Sequence, residues 1–381
     1  MPDLKTILTE KYLDCRNEEL AVRLDSITTD QVQKYLYNTD SRYSLEKLLA
    51  FLSPAAANLL EEMAQLAHNI TIQRFGRTIQ LYAPLYVSNY CVNSCTYCGY
   101  SKANRTSPTR LTIEEALAEA DILAARGFRH ILLVSGSDAN YITTDYLCQL
   151  ACRLRKIFRF SSISIEIYPM SQSDYGVLFA AGIDGVTAYQ ETYNRELYAG
   201  FHPAGPKSDY DWRLATHDRA AAAGMRRLGI AALLGLSDWR AETLALAEHA
   251  SYLMKNYWKA QVSFSFPRLR PTCGITLENT FDVTDRDMLQ MMVALRLCFP
   301  DAGIVLSTRE SAELRDNLIK ICVTRMSAGS KTNPGGYSGQ PSTRQFEIDD
   351  SRTPSEIAEV INAAGSEAVW KDWDSAFTKE E

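Results

Sequence analysis

No run in the 381 residues is apolar for long enough to cross a bilayer, and the opening Met1-Pro2-Asp3-Leu4-Lys5 has no hydrophobic signal region. A cytoplasmic protein without membrane attachment is expected. Positive charge is not in excess: 40 Lys and Arg face 46 Asp and Glu, for a net charge of −6. That balance argues against a nucleic-acid partner or an anionic membrane surface. Histidine is scarce, and His68 and His130 are the nearest to the only Cys-x2-Cys pair, Cys95 and Cys98. A structural zinc site usually takes four ligands, often as two such pairs, so zinc is disfavoured. No Gly-x-Gly-x-x-Gly follows the first strand-like segment, which weakens a dinucleotide-binding reading.

Cysteine is present in number. Nine cysteines in a reducing compartment fit a metal or redox role better than disulfides. Three fall in one short stretch, Cys91-Val92-Asn93-Ser94-Cys95-Thr96-Tyr97-Cys98, spaced C-x3-C-x2-C. Thiolates are soft, strong ligands for iron. On a four-iron cubane, three thiolates leave one iron without a protein ligand, and a catalytic metal needs such an open position. Three buried, inert cysteines are the competing reading. Cys148 and Cys152, four apart on a predicted helix, read as buried small apolar residues rather than a second ligand pair.

The first 75 residues read as helical. Ser53-Pro54 predicts a helix start, and Leu59, Leu60, Met63, Leu66, Ala67 and Ile70 recur at helical spacing until Gly76. This segment is expected to form a layer covering one end of a larger core. Strands and helices then alternate. Strands are predicted at Ile79–Tyr86, Ile131–Ser135, Ile163–Tyr168, Gly185–Tyr189, Leu228–Leu234, Val262–Phe266, Ile304–Ser307 and Ile321–Met326. Thr112-Ile113-Glu114-Glu115 is a capping box for a helix stopped at Gly127, and the alanine-rich helix before Gly224 ends the same way. Eight alternating units predict a closed (β/α)8 barrel of the TIM type, with an open doubly wound sheet as the alternative. The expected division is a helical layer at 1–75, a barrel at 76–333 and an extension at 334–381 packing on the barrel. The extension holds a Gly, Pro and Ser-rich loop from Pro334 to Ser342, a helix opened by Thr353-Pro354-Ser355-Glu356, and the aromatic, charged stretch Val369 to Asp374.

Active sites of such barrels gather at the C-terminal ends of the strands. The three cysteines follow the first strand. Gly136, Ser137 and Asp138 follow the second, and Glu166 lies in the third. Glu191 follows the fourth, Arg268 and Arg270 the sixth, Arg309 and Glu310 the seventh, Ser327 and Ser330 the eighth. Polar residues on nearly every strand end favour a shared pocket over a self-paired rim.

The C-x3-C-x2-C spacing resembles the signature of radical S-adenosylmethionine (SAM) enzymes. Further stretches narrow the likeness: Pro84 to Asn89 entering the cysteines, Cys98-Gly99-Tyr100-Ser101 leaving them, Tyr189 to Tyr193, Asp211-Trp212-Arg213-Leu214, Ser265 to Pro271, Leu306 to Glu310, Ser327 to Thr332 with Gly335-Gly336-Tyr337, and Val369 to Asp374. In this order they resemble the aromatic amino acid lyases of the radical SAM enzymes, from about residue 50 to the end. The resemblance implies a [4Fe-4S] cluster on Cys91, Cys95 and Cys98, with SAM chelated at the open iron. It implies cleavage of the Cα–Cβ bond of L-tyrosine to 2-iminoacetate and p-cresol, for the thiazole of thiamine. Arg309 matches the family's carboxylate anchor, Tyr86 and Ser327 match pocket positions, and Arg270 is a further candidate for the amino acid. Tyr97 matches an aromatic beside adenine. Glu166 is expected at the ribose, Glu191 and Arg213 at the sulfonium and carboxylate, and Gly136 at the methionine head.

A reductant such as flavodoxin or ferredoxin, and a thiazole synthase partner, are also implied. Where the family usually carries Gly-Glu after the second strand, this chain has Gly136-Ser137, with Asp138 as the nearest substitute. A lyase for another aromatic amino acid such as tryptophan, and a non-catalytic cluster-binding paralogue, are the alternatives. Hydrogenase-maturation tyrosine lyases carry further C-terminal cysteines for a second cluster; here the last cysteine is Cys322, which disfavours that branch.

Overall fold

The computed structural model describes residues 2–38, 42–104, 107–158, 160, 162–272, 275 and 280–370. The eight expected strands form: β1 Thr78–Ser88, β2 His130–Ser135, β3 Ser162–Glu166, β4 Gly185–Thr187, β5 Arg227–Ile230, β6 Gln261–Ser265, β7 Gly303–Leu306 and β8 Arg325–Ser327. All pair in parallel in sequence order, and β1 pairs with both β2 and β8, which closes the barrel. Parallel strands buried on both faces read as nearly continuous apolar runs, as His130-Ile-Leu-Leu-Val-Ser135 does. Their alternation still sorts two apolar sets. Ile131 and Leu133 join the large cluster between strands and helices, whereas Leu132 and Val134 turn inward with Tyr82, Tyr86 and Val305.

The helices start and stop where their caps dictate. Thr112 and Glu115 form a complete capping box on helix Ile113–Ala125, and Gly127 at φ 96° lets the chain turn toward β2. The Ser53-Pro54 start is a 3₁₀ turn, Ala55–Leu59, that runs into helix Leu60–Phe75. The N-terminal helices lie against two of the barrel's own helices, Trp239–Asn256 and Asp285–Cys298, so they cover its flank rather than one end. Gln290 fixes the contact by donating to the carbonyls of Phe51 (2.9 Å) and Ser53 (3.0 Å). Sandwiched on two sides, helix Asp285–Cys298 buries ten of its fourteen residues and shows no single apolar face.

Three expectations are corrected. β8 begins at Arg325, not Ile321; Ile321, Cys322 and Val323 are apolar because they pack the turn into the strand, where the Cys322 carbonyl accepts from Arg296 (3.3 Å). A ninth strand, β9 Glu367–Val369, adds in parallel to the first residues of β1; at three residues it is too short to show a period. Cys152 is exposed and Cys148 only half-buried, so neither is a buried apolar filler. After β9, Trp370 meets Phe128 edge-on (5.4 Å between centroids). The rest of the aromatic stretch, Lys371 to Asp374, lies outside the described residues. Among the described residues no helix is long and apolar enough to cross a membrane.

The extension is held to the barrel by a buried carboxylate. Glu119 accepts from the backbone amides of Tyr337 (2.9 Å) and Ser338 (2.6 Å), and the Tyr337 hydroxyl donates to the Pro84 carbonyl (2.8 Å). Charge-assisted bonds of this kind are worth about 1.5–3 kcal/mol each, less when water replaces them. Glu119→Ala is therefore expected to lower unfolding free energy by about 2–3 kcal/mol in a urea titration. Faster amide exchange at Tyr337 and Ser338 would locate the loss.

Candidate active site

The cysteine loop leaves the barrel where β1 changes register against β2, between Tyr86 and Ser88. Its backbone is fastened to several other strand ends. Val92 N donates to Ser137 O (3.1 Å) beyond β2, and Ser94 N and Thr96 N donate to Ala204 O (3.0 Å) and Phe201 O (3.1 Å) beyond β4. Gly99 N donates to Gln345 O (3.2 Å) in the C-terminal extension. Gly136 makes the crossing possible: a Cβ there would lie 2.2 Å from the Tyr90 carbonyl and 3.0 Å from Cys91 Cβ. The absent side chain thus admits the cysteine loop itself.

The three thiols are close enough to act on one another electrostatically. Burial, then the neighbouring cysteines, pushes Cys98 up to about 12, and burial raises Cys95. Metal binding to such thiols must displace protons. Among the described residues no three His, Cys, Asp or Glu side chains gather around one point as ligands of a single ion. A cubane does not ask for that, because each thiolate takes a different iron. N–H donors already address the sulfurs: Ser137 N (3.4 Å) and Asn93 Nδ2 (3.5 Å) at Cys91, Gln345 Nε2 (3.9 Å) at Cys98. Soft donors on one loop, flanked by N–H groups that favour thiolate over thiol, fit a three-cysteine cluster.

Beside the loop lies a polar group built on a strained residue. Glu191 is buried at φ 72°, a conformation that side-chain-bearing residues rarely keep unless function or packing demands it. Burial alone would raise its carboxyl, but Lys207 (2.6 Å) and Arg213 (3.4 Å) outweigh burial and hold it below the ordinary carboxylate value. Lys207 also donates to the Tyr97 hydroxyl (2.9 Å). Tyr97 in turn reaches His202 Nε2 (2.8 Å). His202 Nδ1 lies 2.8 Å from the Tyr198 carbonyl, which can only accept, so Nδ1 carries the hydrogen. Burial, then Lys207, lowers His202 to about 3, so it is neutral and Nε2 accepts from Tyr97. Two cations on one carboxylate leave a net positive patch beside the cysteines. Tyr97, Glu191 and Arg213 are thus brought together as expected, with Lys207 and His202 added. No motif marks Lys207, which follows Gly205-Pro206; its backbone N–H donates to Asn93 Oδ1 (2.8 Å), inside the cysteine stretch.

The third part is a pocket inside the barrel mouth, lined by Tyr82, Tyr86, Glu166, Tyr189, Arg309, Ser327 and Phe346 among others. The Arg309 guanidinium lies 3.4 Å over the Phe346 ring and, among the described residues, makes one long hydrogen bond, to Arg268 O (3.4 Å). Stacking fixes the plane of the guanidinium and leaves its donors for a ligand. Tyr86 donates to Gln345 Oε1 (2.8 Å), and Ser327 Oγ accepts from Thr308 N (3.1 Å). Arg270 is not in this pocket. It pairs with Glu310 (3.2 Å) and Asp349 (3.1 Å), and Arg268 is held by Glu310 and Asp285. Asp138 does not replace the missing glutamate either: Arg110 grips both its oxygens (2.7 and 3.1 Å) and Ser88 donates to it (3.0 Å).

Two family models match: the Radical SAM superfamily over residues 85–247, and the Biotin and Thiamin Synthesis associated domain over residues 265–367. The chain is 41% identical to 2-iminoacetate synthase of Salmonella typhimurium, over 96% of this chain and 97% of that one. It is also 41% identical to 2-iminoacetate synthase of Escherichia coli, over 94% of each. Among solved structures it resembles HydG, a maturase of the [FeFe]-hydrogenase, with a TM-score of 0.88 and 31% identity, over 95% of this chain and 81% of that one.

Gly136→Ala drives a methyl group into the Tyr90 carbonyl and is expected to displace the loop that carries Cys91. After anaerobic reconstitution the variant should hold several-fold less iron and sulfide than the parent, with an unchanged far-ultraviolet circular dichroism spectrum.

Proposed function

Because the chain belongs to the family of the 2-iminoacetate synthases within the radical SAM superfamily, we propose that it cleaves the Cα–Cβ bond of L-tyrosine to 2-iminoacetate and p-cresol. It is a radical SAM carbon–carbon lyase that uses a [4Fe-4S] cluster and SAM. The observation that carries the substrate reading is Arg309, placed just beyond β7 in a tyrosine-lined pocket whose wall includes β1, the strand that delivers the cysteines.

A cluster and SAM bound here would supply the one-electron radical chemistry that cleavage of the Cα–Cβ bond requires. The chain's residues prepare that event. Cys91, Cys95 and Cys98 would hold the cluster. Tyr97, Glu191, Arg213 and Lys207 form the polar wall assigned to SAM, and Gly136 keeps the adjoining backbone against the cysteine loop. Arg309 takes the substrate carboxylate, for which its planar fork is suited. Tyr86 and Ser327 border the same space. Leu132, Val134 and Val305 supply apolar surface that keeps water from the reacting atoms.

The product 2-iminoacetate is an imine that water destroys, so a consuming thiazole synthase fits the reading as partner. A one-electron reductant is required; flavodoxin or ferredoxin would serve, in the cytoplasm.

The test is anaerobic turnover of the iron-reconstituted protein with SAM, reductant and tyrosine, read by mass spectrometry. p-Cresol with 5′-deoxyadenosine is expected. Deoxyadenosine without p-cresol would reopen the substrate, with tryptophan next, and neither product from a fully loaded protein would leave a non-catalytic paralogue. Cys95→Ala should abolish both products. Arg309→Lys keeps the charge but loses the fork, and should raise the KM for tyrosine by about 10-fold or more, consistent with about 1.4 kcal/mol or more of lost binding.

A further inference from the structure

Glu166 is the one acidic side chain, and Arg309 the one basic side chain, among the residues lining the barrel-mouth pocket. In β3, Ile163 and Ile165 join the apolar layer under the helices, so the alternate residue Glu166 points into the barrel. Register places it opposite Val134, which lies opposite Tyr86, so Glu166 and Tyr86 share one layer of the pocket. Ser162 Oγ, two positions below Ser164 and four below Glu166, is held by Asp184 (2.7 Å). Glu166 makes no hydrogen bond and no ion pair among the described residues. Half-buried and facing the pocket, its carboxylate has acceptor capacity open to whatever fills that space.

The position of that acceptor relative to Arg309 is informative. The eight strands follow one another around the barrel, so β3 and β7 stand on opposite walls. A ligand held by both must carry an anionic group at one end and a hydrogen-bond donor at the other. The surface between them is apolar and aromatic, with Tyr82, Leu132, Val134 and Val305. An amino acid ammonium sits on the carbon that bears the carboxylate and stays on the Arg309 side. A phenol hydroxyl lies at the far end of the ring. We infer that Glu166 accepts the hydrogen bond of the substrate's phenolic hydroxyl and thereby selects tyrosine over phenylalanine. This rests on the tyrosine lyase reading and moves Glu166 from the ribose of SAM, where the sequence placed it, to the substrate. Burial, opposed by Arg309, raises its carboxyl to about 7, so around neutral pH both forms are populated, and either leaves an oxygen that can accept. Sites built around a substrate hydroxyl reject the analogue lacking it because the acceptor is then left buried and unpaired.

The experiment measures equilibrium binding of L-tyrosine and L-phenylalanine to the holoenzyme, with cluster and SAM in place, for the parent protein and Glu166→Leu. The parent should prefer tyrosine by about 100-fold or more. Glu166→Leu should lose most of that ratio, binding tyrosine more weakly and phenylalanine at least as well. Equal weakening of both ligands, with 3-(4-hydroxyphenyl)propionate unaffected, would place Glu166 at the ammonium and overturn the inference. Lower SAM affinity with an unchanged tyrosine-to-phenylalanine ratio would return it to the ribose and overturn it equally. Formation of p-cresol by the parent tests the lyase reading separately, since the binding ratio does not depend on turnover.

Discussion

The site depends on backbone hydrogen bonds that fasten the cysteine loop to other parts of the chain. Three thiolates in eight residues repel one another, and nothing in their local sequence would hold them in one arrangement. Val92, Ser94, Thr96 and Gly99 donate to carbonyls on three other segments, beyond β2, beyond β4 and in the C-terminal extension. Backbone donors cannot be lost by side-chain substitution, so the loop's shape follows from the closure of the barrel. Gly136 permits the closest of these approaches.

Charge is then arranged by depth. At the level of the loop, Lys207 and Arg213 exceed Glu191 by one positive charge, beside groups that become anionic once iron is bound. Inside the barrel, Arg309 and Glu166 stand on facing walls without touching. A bridge between them would fill the pocket with the protein's own ion pair; kept apart, each can bind one end of a ligand. Arg268, Arg270 and Glu310 show the contrasting case, where cations and carboxylate meet directly and satisfy one another.

Much of this was legible in the sequence because the signals are local. Three ligands on one loop, capping residues before helices, and strands at regular intervals can each be read without knowing what lies across the molecule. The loop after β4 was opaque for the opposite reason. His202 and Lys207 carry no periodicity, and only folding brings them to Tyr97, more than a hundred residues earlier. Arg270 misled because a strand-end arginine looks the same whether it faces a ligand or a buried glutamate. β9 escaped because three residues show no period, and Ile321 to Val323 mimicked a strand because burial in a turn also calls for apolar side chains.

Gln345 gives the molecule a consequence in time. This one residue, late in the chain, supplies its carbonyl to Gly99 N, its amide to Cys98 Sγ and its amide oxygen to the Tyr86 hydroxyl. Cys98 and the residue that completes its surroundings lie 247 positions apart, so the cysteine loop is finished only when the extension docks on the barrel.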